Sequence, residues 1–219
     1  MLVTFTTSPA NADEAVKVET ARLNWRDATV GKLAEDAMPV SDLLHAASAQ
    51  SGVPISMIYP LTERDAALKV MVRMSKTTKL GNLLDEVSQK VPGMRLTENH
   101  RGIVAELPLP DRSSAILNRP VKEGRFRGSV DEFVSEYIVA DCGMFFPPAD
   151  WVSSLPVDMP VPAGSHVRDV LIKLLQDSGL QFSLAIGEER SLVLGGPGLQ
   201  VETRSVRQIA FSARPNPRK

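Results

Sequence analysis

Val40-Ser41-Asp42-Leu43-Leu44-His45-Ala46-Ala47-Ser48-Ala49-Gln50-Ser51-Gly52-Val53 decides the fold, because an altered copy of it returns later in the chain. That copy is Ser129-Val130-Asp131-Glu132-Phe133-Val134-Ser135-Glu136-Tyr137-Ile138-Val139-Ala140-Asp141-Cys142-Gly143-Met144. Each reads as a capped helix with one apolar stripe and a glycine stop. A short segment that reads as a strand precedes each, Gly31-Lys32-Leu33-Ala34 and Gly124-Arg125-Phe126-Arg127.

The parallel continues outward. Val70-Met71-Val72-Arg73-Met74 and Leu155-Pro156-Val157-Asp158-Met159 carry apolar residues at every second position, as half-buried strands do. Leu80, Leu83, Leu84 and Val87 then fall at i, i+3, i+4 and i+7, and Val167, Val170, Leu171, Leu174 and Leu175 follow the same helical period. Pro92-Gly93 closes the first of these helices and Ser178-Gly179 the second. Two hairpins are expected next. One has strands Met94–Thr97 and Ile103–Leu107 around a polar turn at Glu98–Gly102, and the other has Leu180–Ile186 and Ser191–Leu194 around Gly187-Glu188-Glu189-Arg190. Corresponding glycines keep their order with offsets of 91 residues (Gly52 to Gly143) and 86 residues (Gly93 to Gly179). The spacing therefore predicts an α+β fold of two tandem small domains, each β-α-β-α-β-β, with two helices packed on short sheets.

The expected boundaries are 13–107 for the first domain, 121–198 for the second and 108–120 for a Pro-containing linker. In that linker Leu107-Pro108-Leu109-Pro110-Asp111-Arg112-Ser113-Ser114 reads as a stiff, solvated connector. Val16–Leu23 alternates like an added edge strand. Residues 199–219 read as a terminal strand followed by a basic tail, with Arg204, Arg207, Arg214, Arg218 and Lys219 against Glu202, and disorder is expected from Arg214 onward. At the other end, Ala10-Asn11-Ala12 has the small-x-small form of a signal-peptidase site, so 1–12 reads as the remnant of an export leader and the mature chain as periplasmic.

Composition narrows the chemistry. The 219 residues carry 25 Lys and Arg against 26 Asp and Glu, a net charge of −1, which supplies no global field for nucleic-acid binding. No apolar run reaches the roughly 20 residues needed to cross a bilayer as a helix. The single cysteine, Cys142, excludes an internal disulfide, and His45, His100 and His166 are too dispersed to suggest a metal site. Cys142 lacks a neighbouring base to activate it. His166 reads as part of a helix cap and His100 as an exposed turn residue. Asp131-Glu132 and Glu188-Glu189 are adjacent pairs whose side chains diverge, and they read as solvated. Gly195-Gly196-Pro197-Gly198 lacks the Lys-Ser/Thr ending of a phosphate loop and reads as a turn. The expectation is a non-enzymatic protein without cofactor, metal or catalytic residues.

Within this order of elements, Val40–Ser56 with Val70–Val104, and Ser129–Phe146 with Val157–Leu194, resemble the secretin and TonB N-terminal short domain, here in two copies. The resemblance covers roughly two thirds of the chain and rests on apolar spacing and glycine positions. It implies an accessory or adaptor of a secretin-type or TonB-linked envelope machine, with a secretin, pilus or TonB-system protein, or a second copy of itself, as partner. The second copy departs from the pattern at Phe145-Phe146-Pro147-Pro148-Ala149-Asp150-Trp151. Three of eleven aromatic residues fall within these seven positions, so Phe145, Phe146 and Trp151 are the candidate partner-binding residues. The same residues also read as a plug between helix and sheet, since aromatic side chains bury readily. The alternative function is a module for a small ligand or cell-wall glycan, held in the groove between the units around Trp151.

Overall fold

A computed structural model describes residues 25–31, 38–61, 69–70, 77–139, 144–146, 154–194 and 201–215. It is a mixed α+β fold. After a single 3-10 turn at Trp25–Asp27, the first half contains β1 (Thr29–Val30), β2 (Met38–Pro39), α1 (Val40–Ser51), β3 (Ile55–Pro60), β4 (Lys69–Val70), β5 (Thr78–Lys79), α2 (Leu80–Lys90), β6 (Arg95–Asn99) and β7 (Gly102–Glu106). The second half contains α3 (Asp111–Leu117), β8 (Gly124–Ser129), α4 (Val130–Val134) with a π-helical continuation at Ser135–Val139, β9 (Met144–Phe146), β10 (Pro156–Val161), α5 (Val167–Ser178), β11 (Leu180–Leu194) and β12 (Val201–Pro215).

Helix phase follows the sequence period. Leu80, Leu83, Leu84 and Val87 of α2 are buried, as are Val167, Val170, Leu171, Leu174 and Leu175 of α5. Gly52 (φ 65°) and Gly179 (φ 66°) end α1 and α5 in the left-handed conformation. Ser129 and Glu132 form a capping box at the start of α4. The backbone N–H of His166 donates to the Asp169 carboxylate at 2.7 Å, which places His166 in the cap of α5.

The strands form one mixed sheet of order β6-β7-β3-β11-β12-β9 and smaller antiparallel pairs. In the first half β7 lies antiparallel to β6 and parallel to β3; in the second, β12 lies antiparallel to β11 and parallel to β9. In the second half the strand before α4 pairs antiparallel with the strand before α5, β8 with β10, whereas in the first half β2, before α1, pairs antiparallel with β4, and β5, before α2, with β1. The β1·β5 and β2·β4 partners obey one register, Thr29 with Lys79 and Pro39 with Lys69.

The halves do not stand as separate sheets. β3 pairs in parallel with β11 from Ser183↔Met57 to Ile186↔Pro60, so the two three-stranded groups share a junction. Alternation along the strands then serves two cores on opposite faces. Ile55, Met57, Ile103 and Ala105 pack with α1 and α2, whereas Ile58 and Val104 pack with α3, α4 and α5. The second core also holds an aromatic group in which Phe133 meets Phe126 and Tyr137 with ring centroids 5.7 and 5.2 Å apart, and Phe182 stacks on Phe211 at 6.0 Å. Burial pushes the Tyr137 phenol up to about 12, helped by the adjacent Glu136.

Three expectations change. The segment read as a solvated connector contains α3, with Ser113, Ile116 and Leu117 buried; Pro110 at its N-cap and Asp111 in its first turn suit a helix start as well as a linker. Gly187-Glu188-Glu189-Arg190 is no turn but the middle of the continuous strand β11. Its glycine answers a close approach: a Cβ at Gly187 would lie 2.8 Å from Leu61 Cβ, beside the bond from Leu61 N–H to the Ile186 carbonyl (2.9 Å). Arg214 and Pro215, expected in a disordered tail, pair with Gln181 and Leu180 at the end of β12. The leader at 1–12, the strand at 16–23, Lys32–Ala34, Met71–Met74, Cys142, Gly195–Gly198 and the tail at 216–219 lie outside the described residues.

Candidate interaction edges and the seam between the halves

Phe145 and Phe146 lie in β9, the strand at one end of the six-stranded sheet, in register with Ile209 and Ala210. Trp151 lies outside the described residues, and with it the proposed groove around that residue. The aromatic pair is thus placed on a sheet edge, a position the sequence pattern did not identify. The opposite end is β6. Both ends present backbone groups that no other strand pairs among the described residues.

The direction of the β6 amides follows from its neighbour. Ile103 N–H donates to the Pro54 carbonyl at 2.9 Å, away from β6, so Glu98↔Ile103 is a non-hydrogen-bonded pair. The N–H and C=O of Glu98, and of Leu96 two residues earlier, therefore point outward, while those of Thr97 point to β7. Glu98 is near Arg26 (3.6 Å), which also pairs with Asp85 at 2.7 Å. By contrast, β10 carries Pro156 and Pro160, which have no amide hydrogen to offer, and Asp158 on its exposed side takes Arg125 at 2.6 Å. Arg125 holds the Asp158 carboxyl below its usual range.

Charged and polar side chains elsewhere close the seam between the halves. The guanidinium of Arg168 on α5 donates twice to the Glu106 carboxylate of β7, both at 2.8 Å, and once to Asn118 at 2.6 Å. This fork lines a cleft of about 320 Å³ with Gly93, Arg95, Pro108 and Ser114. On the other face, buried Gln181 of β11 donates to the Ile55 carbonyl (2.8 Å) and Ser48 Oγ (3.2 Å), and accepts from Arg214 Nε at 3.1 Å. Ser56 Oγ accepts from Phe182 N–H at 3.1 Å. Polar residues inside apolar runs, Gln181 in Leu180–Ile186 and Ser56 in Ile55–Ile58, were the sequence signals for this network.

His45 of α1 lines a cavity of about 220 Å³ over the same seam, with Gln181, Ser183, Ser212 and Arg214. Burial holds its imidazole below the usual 6.5, Arg214 adds to the effect and Asp42 opposes it. The unfolded chain therefore takes up this proton first. Stability from neutral His45 is complete above 6.5 and is lost as pH falls below it. The urea midpoint of the parent should drop more steeply on acidification than that of His45→Gln; parallel profiles would refute this origin.

Among the described residues no group of three His, Cys, Asp or Glu side chains is placed to hold a metal ion, and no helix is long and apolar enough to cross a membrane. No family model, curated protein or solved structure matches the chain.

Proposed function

We propose that this protein is a non-enzymatic interaction module of the cell envelope, of the secretin and TonB short-domain type, which receives a strand of an envelope partner on the edges of its sheet. The observation that carries this reading is the pair of sheet ends, β6 and β9, whose outer edges no strand pairs among the described residues, the latter bearing Phe145 and Phe146. Main-chain bonds along an edge supply affinity, and side chains at alternate positions supply selectivity. The repeated order of strands supports the resemblance on which the periplasmic placement rests. The reading is further supported by the pairing of Arg168 with Glu106 and of Gln181 with Ser48, which uses these groups in joining the halves rather than turning them toward a substrate. Partners on this reading are secretin, pilus or TonB-system proteins or a second copy of this chain, with no nucleic acid and no cofactor.

A photo-crosslinking residue placed at position 98 or 145 in the producing cell tests this. Adducts with envelope components are expected, and far fewer from position 131 at the exposed start of α4. Adducts confined to cytoplasmic proteins would refute the reading.

A further inference from the structure

The junction between the halves shows how this sheet can be extended. β3 takes β11 on its outer side in parallel. In the second half β9 occupies the place that β3 holds in the first, next to the central strand and parallel to it. In the first half β6 occupies the place that β11 holds in the second, next to the central strand and antiparallel to it. The two strands joined inside the chain therefore have their counterparts at the two ends of the sheet.

Strand direction completes the match. Of the five pairings from β6 to β9, only β6·β7 and β11·β12 reverse direction, so β6 and β9 run the same way. A second copy displaced along the sheet, without being turned over, would bring its β6 parallel to β9 of the first. That is the sense of the internal β3·β11 junction. β6 has five residues against the four pairs of that junction, contains no proline, and turns the amides of Leu96 and Glu98 outward. A net charge of −1 sets little repulsion between copies.

We propose that the partner of these edges is a second copy of this chain, joined head to tail by parallel pairing of β6 with β9. This rests on the edge-addition reading above and names its occupant. The two surfaces differ, so the contact is heterologous: it does not close on a two-fold axis, and it produces an open array or a ring rather than a symmetric dimer.

Sedimentation of the full chain over a rising concentration series tests this, together with hydrogen exchange read at single amides. The expected result is growth through dimer and trimer to longer species, with the Leu96 and Glu98 amides gaining protection as the mass rises while Thr97 is protected throughout. Glu98→Pro removes one outward donor and leaves the β6·β7 bonds in place, so it should stay monomeric with an unchanged circular dichroism spectrum. Because its β9 is intact, it should also shorten parent assemblies when mixed with them. If this variant does not fold, the amide measurement on the parent decides alone. A parent that stays monomeric, stops at a dimer, or protects Leu96 and Glu98 equally at every concentration overturns the proposal. A monomeric parent whose position 98 still crosslinks to another envelope protein refutes the second copy and keeps edge addition; absence of both refutes the two together.

Discussion

Leu171→Asp should abolish the cooperative folding of the whole molecule, including the half to which Leu171 does not belong. Leu171 is fully buried in α5, in the core that also holds the aromatic group. The substitution removes about 2–5 kcal/mol of packing and sets a carboxylate in a site without a cation, at a further cost of several kcal/mol. Domains of this size have about 5–15 kcal/mol in total. Once α5 leaves, Ile58 and Val104 lose their cover, and β3 and β7 would be wetted on a face that the parent keeps dry. Near-ultraviolet circular dichroism and a thermal melt should show one lost transition. Leu84→Asp should act alike from the other core. Survival of a sharp transition in either variant would mean that the halves fold independently.

The second large effect separates neighbouring residues. Ile58→Ala should destabilise by about 2–5 kcal/mol, and the amides that first lose protection in hydrogen exchange should be those of α5, in the second half. Met57→Ala should have a similar cost, with the loss appearing first in α1 and α2. The reason is the pleat: residues 57 and 58 of β3 face opposite cores. If both variants open the same helices first, the division of the cores is refuted.

Helices were legible because their signal is periodic and local. Leu80-to-Val87 and Val167-to-Leu175 can bury a stripe in only one phase, and Gly52 and Gly179 stop their helices by conformation. The β6·β7 hairpin was legible for the same reason, its turn narrowing to His100-Arg101. Gly187–Arg190 misled because its residues favour a turn on local grounds, and the ladder from Leu180↔Pro215 to Leu194↔Val201 overrides that preference with long-range bonds. Pro110-Asp111 is equally apt for a linker and a helix start, and only the burial of Ile116 and Leu117 chooses between them. Of the candidate site, the sequence marked Phe145 and Phe146 as unusual but not as edge residues.

By itself, then, the amino-acid sequence determined the α+β class and the phase of the helices, since both are written in local periods and stops. The tertiary structure alone decided that the two halves share a sheet, that their helices lie on opposite faces, and that β6 and β9 are left at its ends. Backbone pairing makes that decision, and the amide and carbonyl groups that carry it are the same in every residue but proline. The run Ile55-Ser56-Met57-Ile58, buried on both faces, hints at such a place without naming the strand that fills it.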